Sequence, residues 1–154
     1  MILKKLYLAA FITCLMISCQ KMSSNKQQTS PKKEEITAIE LSRYGGQLGY
    51  FGTLKFTKDS IIQTVLVGTK SDKVTKTGKK ISKGDWQNIS NSFRLEDFKK
   101  VKSGSSNMAF DGTDTKIKIT TANTSDSIIN GDQDKENFKK IEKLNQTLET
   151  FWTN

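Results

Sequence analysis

Apolar residues recur along this chain with three different rhythms. The first is an unbroken run. Residues 6–17 are apolar except for Thr13; Lys4 and Lys5 precede them and Ser18 follows. The run is shorter than the roughly 20 residues that span a bilayer. A basic start, a short apolar run and a small residue before the cut form the pattern of a secretory signal, here over residues 1–18. Residues 19–35 are polar and charged after Cys19, with Met22 as their only apolar side chain apart from Pro31. Such a segment cannot bury enough surface to order itself, and it is expected to be a flexible tether.

From Ile36 the rhythm is two. Ile36, Ile39 and Leu41 predict a strand over 36–43, and Arg43 to Gly49 is a glycine-rich turn. Tyr50, Gly52, Leu54 and Phe56 then alternate with Phe51, Thr53, Lys55 and Thr57, as in a half-buried strand. Lys58-Asp59 is a turn, and β-branched residues over 60–68 predict an antiparallel partner. Residues 69–80 are polar and lysine-rich, either a long hairpin tip or an irregular strand around Val74. Further on, Ile117 and Ile119 lie on one side of a strand over 115–122, and Ile128 and Ile129 mark a partner over 125–130.

The third rhythm is three and four. Ser82-Lys83-Gly84-Asp85 places a side-chain acceptor at a helix start and an acid three residues on. Trp86, Ile89 and Phe93 follow at helical spacing, predicting a helix over 83–93. Leu95, Phe98 and Val101 continue the apolar thread into a short turn. Near the end Asp132 or Asp134 caps a helix carrying Phe138, Ile141, Leu144, Leu148, Phe151 and Trp152 on one stripe. On these patterns Trp86 and Trp152 both belong to the core. The element order is β-β-β-α-β-β-α. It implies an α+β fold: an antiparallel sheet of about five strands with two helices on one face, in a single domain over residues 36–154.

Composition narrows the chemistry. The chain has no histidine, and its two cysteines are Cys14, within the signal, and Cys19. His-based triads and His metal sites are therefore excluded, and zinc would have only carboxylates to hold it. Basic residues outnumber acidic ones, 25 to 16, mostly as scattered lysines. A solvated surface accounts for them; attraction to an anionic headgroup, lipopolysaccharide or wall polymer is the functional reading. No basic cluster interleaved with aromatics points to nucleic acid.

Few constellations carry a site. Asp111 and Asp114 flank Gly112 and could begin a calcium loop, but they supply too few oxygens for one. Asp126, Asp132, Asp134 and Glu136 form an acidic stretch that a helix start explains. Arg43, Tyr44, Tyr50 and Phe51 beside the glycine-rich turn are a candidate ligand patch. The glycines lack the strand–GxGxxG–helix context of a nucleotide site, and no Gly-x-Ser-x-Gly elbow is present. No cofactor is expected.

Leu15-Met16-Ile17-Ser18-Cys19 resembles a bacterial lipobox. The resemblance implies diacylglyceryl transfer to the Cys19 sulfur and cleavage between Ser18 and Cys19. An uncleaved anchor over 6–17 and modification of Cys14 are the alternatives; the short run argues against the first and Thr13 against the second. With Ile39-Glu40-Leu41-Ser42-Arg43 before the glycine-rich turn, the chain is similar to small lipoproteins of Bacteroidota-type bacteria, whose domains are mostly of unknown function. In that group surface display implies acidic residues soon after the lipidated Cys. Gln20 to Ser24 has none, which implies a periplasm-facing position in the cell envelope. The expectation is a monomeric, membrane-anchored, non-enzymatic binding module. An inhibitor of an envelope-attacking enzyme, probing with residues 69–80, is the alternative. A hydrolase working with carboxylates and hydroxyls alone is less favoured.

Overall fold

The computed structural model describes residues 34–66 and 74–152. The expected signal with Ser18 and Cys19, the expected tether through residue 33, and residues 67–73, the first part of the polar stretch after β3, lie outside them. Six strands make one sheet: β1 (Ile36–Gly45), β2 (Tyr50–Thr57), β3 (Ser60–Leu66), β4 (Thr75–Lys80), β5 (Thr113–Thr121) and β6 (Ser125–Ile129). Their spatial order is β4-β3-β2-β1-β5-β6, with every neighbouring pair antiparallel. The α+β class holds, but the sheet has six strands rather than about five. The additional strand is β4. All six of its residues are exposed and none is apolar, so it has no period-two signature; the backbone ladder to β3 holds it in place. Its lysines suit an edge, since they discourage pairing with another chain.

The helical segments are shorter and more broken than the periodicity predicts, so the element order becomes β-β-β-β-α-α-β-β-α-α. Helix α1 (Lys83–Ser90) is capped as expected. Ser82 Oγ accepts from the Asp85 amide at 3.0 Å and donates to the Asp85 carboxylate at 2.6 Å. It stops before Phe93 because Asn91 and Ser92 turn back on the helix end; Ser92 Oγ donates to the Ile89 carbonyl at 2.7 Å. The short α2 (Leu95–Phe98) then brings Phe98 edge-on to Phe93, with ring centres 6.1 Å apart. The last predicted helix is two pieces, α3 (Lys135–Phe138) and α4 (Glu142–Glu149). Asp134 caps α3 through the Asn137 amide. Between the pieces the Ile141 amide bonds to Phe138 O at 2.9 Å, a tight three-residue turn that sets Ile141 fully inward.

One face of the sheet carries the core. Ile39 sits between Phe56 and Ile119, and Leu41 between Leu54 and Ile117, all essentially inaccessible to solvent. Ile89, Phe98, Ile141, Leu144 and Leu148 cover them in one continuous cluster. Among the described residues the opposite face has no such cover. Its paired positions include Lys118, Glu40 and Lys55 in one row and Lys116, Ser42, Thr53, Thr64 and Lys76 in the next. Among the described residues no helix is long and apolar enough to cross a membrane.

Candidate functional site

The sheet outruns the helices. Its last apolar row on the covered face is Ile117-Leu41-Leu54. The next row is Thr115-Arg43-Gly52, and the one beyond is Thr113-Gly45-Tyr50. These polar rows lie past the core where α4 ends, and a cleft forms between them and the helix end. Its inner part encloses about 260 Å³, with Thr115, Asn130, Phe138, Asn145 and Glu149 among its walls. An open groove lined by Arg43, Tyr50 and Trp152 shares Thr113 and Thr115 with it.

Arg43 organises the groove. Its guanidinium is paired with Glu149 and lies 4.8 Å from the centre of the Trp152 ring. Both members of the ion pair are about one-third exposed. Such a pair contributes little to stability, about 0–1 kcal/mol, so its interest is positional. Gly52 forms the floor. A Cβ there would collide with the Tyr50 hydroxyl and stand 2.9 Å from Cζ2 of Trp152. The missing side chain is what lets both rings rest on the strand.

The predicted patch is therefore divided. Arg43 and Tyr50 meet in the cleft, whereas Tyr44 pairs with Phe51 on the uncovered face. Alternation requires this: adjacent residues of a strand point to opposite sides. Trp86 is core, at 8% exposure; Trp152 is partly buried against the core and also lines the groove. Its helical stripe gave no sign of that, because periodicity does not report where the sheet beneath a helix ends.

A buried polar network braces the cleft from behind. Asp114 is 2% exposed. It accepts from Ser106 Oγ at 2.6 Å, the Asn107 amide at 2.7 Å and Asn130 Nδ2 at 2.7 Å. Asn130, in a left-handed conformation, also accepts from the Thr115 amide and donates to Ser105 O. The Ser106 bond, followed by those from Asn130 and Asn107, holds the Asp114 carboxyl below its ordinary value of 3.8 despite burial. Asp111 serves a different purpose, as the left-handed residue that ends a 3-10 turn over Met108–Phe110. Among the described residues no three acidic, histidine or cysteine side chains gather to hold a metal. The Lys102 amide and then Asn137 lower the Asp134 carboxyl in the same way.

The lowered carboxyls have a sign that can be tested. A depressed pKa contributes stability that is full above the unfolded value and is lost as pH falls through the folded one. Asp114→Asn should cost about 2 kcal/mol at pH 7, and the deficit should shrink below about pH 4. Urea midpoints of both proteins at pH 7 and pH 3 measure it. A deficit that does not change with pH would remove the carboxylate from this role.

At the same end the β1–β2 turn is laced to the loop before β5. Gly46 N donates to Gly112 O at 2.9 Å. Gly45, at φ +113°, has no room for a Cβ, which would stand 2.6 Å from that same carbonyl. The paired loops and the adjoining strand expose Leu48, Phe51, Met108 and Phe110, the last at 89%.

Comparison with protein-family models and with curated proteins returns no match.

Proposed function

We propose that this is a lipid-anchored envelope protein, monomeric and periplasm-facing, whose domain binds a ligand in the cleft without chemically changing it. The observation that carries the reading is the cleft itself, where a sheet longer than its helices leaves polar rows under Tyr50 and Trp152. A chain without histidine, whose cysteine outside the signal is consumed by acylation, suits binding better than turnover. Strand geometry suits it too. A tether joined at Ile36 enters the pole of β1 opposite Gly45. At 3.3 Å per residue, β1 then sets the cleft about 30 Å from the tethered end.

The exposed tip favours a second reading, as an inhibitor of an envelope-attacking enzyme. Leu48, Met108 and Phe110 on two interlocked loops offer the apolar anchors that protein docking uses. The probe would then be this tip rather than residues 69–80, whose described end is the edge strand β4.

One experiment tests both. A photo-crosslinking residue at Asp132, exposed at the cleft rim, or at Phe110 on the tip, is placed in the lipidated protein in living cells. Adducts from position 132 support the cleft reading. Adducts from Phe110 alone, to a lysozyme-like or proteolytic enzyme, support the inhibitor. Silence from both positions would sink the pair.

A further inference from the structure

We infer that the ligand of this cleft is an uncharged saccharide, an inference that rests on the binding-module reading above. Charge is the first argument. The charges facing the groove are Arg43 and Glu149, and each already satisfies the other. Asp132, exposed at the rim of the inner cavity, adds a negative charge. Among the described residues that line the cleft, a phosphate, sulfate or carboxylate ligand would find no unpaired cation and would face that acid. Lys55, Lys76, Lys116 and Lys118 lie on the other face of the sheet, and none makes an ion pair among the described residues.

Hydrogen bonding is the second. The side chains of Thr113, Thr115 and Asn145 and the Tyr50 hydroxyl make no hydrogen bond within the described residues, yet all line the cleft. Hydroxyls and a carboxamide both donate and accept, as every sugar hydroxyl does. The planar guanidinium and carboxylate of the Arg43–Glu149 pair add a donor and an acceptor side by side, a match for two neighbouring hydroxyls.

The rings are the third. Tyr50 and Trp152 both reach the bare backbone of Gly52 and stay partly exposed in the groove, with the Arg43 guanidinium over the Trp152 ring. An aromatic face carries partial negative charge and attracts the polarised C–H bonds of a sugar ring as it attracts other positive edges. The inner cavity, about 260 Å³, is slightly below the roughly 300 Å³ at which drug-sized pockets begin. That suits a single sugar unit, with the chain continuing along the open groove past Trp152.

The test uses the full lipidated protein in detergent and three probes: a tetramer of N-acetylglucosamine, a tetramer of mannose, and heparin as a polyanion. Two tryptophans make fluorescence legible, since Trp86 is buried and Trp152 lines the groove. At least one neutral tetramer should change the emission and bind by calorimetry. Trp152→Ala and Asn145→Ala should each weaken that binding about tenfold, while Lys76→Glu on the uncovered face should not. Thermal unfolding checks that each variant is folded, and Asn145→Ala, a helix-surface change, stands in if Trp152→Ala is not. If neither neutral tetramer binds at millimolar concentration, the inference is overturned. Heparin binding lost in Lys76→Glu but kept in Trp152→Ala would overturn it in favour of the lysine face. Adducts from the crosslinker at position 132 to a protein or lipid would overturn it while leaving the binding module standing. Hydrolysis of a bound tetramer would uphold the ligand class and end the non-enzymatic reading.

Discussion

Phe56→Ala should destabilise the domain by about 4 kcal/mol. Phe56 is inaccessible to solvent and lies near the middle of the sheet, paired with Ile39 on β1 and Ile61 on β3. Phe151 meets it edge-on, with ring centres 5.3 Å apart. Truncation removes the ring's burial and opens a cavity whose walls are held by strands on both sides, so the site relaxes little. With no disulfide available to the domain, and domain stabilities of about 5–15 kcal/mol, such a loss takes a large share of the total. Phe56→Leu keeps most of the volume and should cost under about 1.5 kcal/mol. Urea unfolding midpoints of the two variants measure the difference. A loss below about 1 kcal/mol for the alanine would mean that the covered face is not packed as described.

Cys19→Ser should produce the second large effect, on location rather than stability. Under the proposed anchor, the sulfur is what receives the diacylglyceryl group, and serine cannot take its place. The precursor should keep its signal, fail to incorporate a fatty-acid analogue, and lose its durable hold on the membrane, which takes two or more acyl chains. Cys14→Ser is the matched control and should change none of these. Undiminished labelling of the Cys19→Ser protein would refute the assignment. The folded domain should be indifferent to the change, since among the described residues its core draws on none before Ile36.

Much of the architecture can be read from the chain because local rhythm and tertiary contact agree. The alternation over 50–57 names the buried set Leu54 and Phe56, and these are buried. Ser82 and Asp134 cap the helices that their spacing announces, because a cap is a contact over three residues. The fourth strand is invisible for the converse reason. Thr75–Lys80 joins the sheet through backbone bonds alone, and backbone bonds leave no mark on side-chain pattern. The broken helices show a limit of another kind. Ile141 is on the right stripe, but a tight turn, not a continuous helix, carries it inward.

The candidate site divides along the same line. The company of Tyr50 with Gly52 is already implied by a strand's period of two, whereas Arg43 and Tyr44 face opposite ways because β1 runs on through Gly45 instead of turning after residue 43. What brings Glu149 and Trp152 to Arg43 is not local at all. It depends on how α4 packs over the sheet, with its last residue Glu149 reaching the Arg43 row, and on a register that places Thr113 and Thr115 beside residues some 70 positions earlier. By itself the sequence determined which residues face inward, where the capped helices begin, and that histidine and thiol chemistry are excluded from the domain. Only the tertiary structure decided that a cleft exists and which side chains share it. A residue's periodicity states its face, whereas a cleft is set by how far one element extends beyond another.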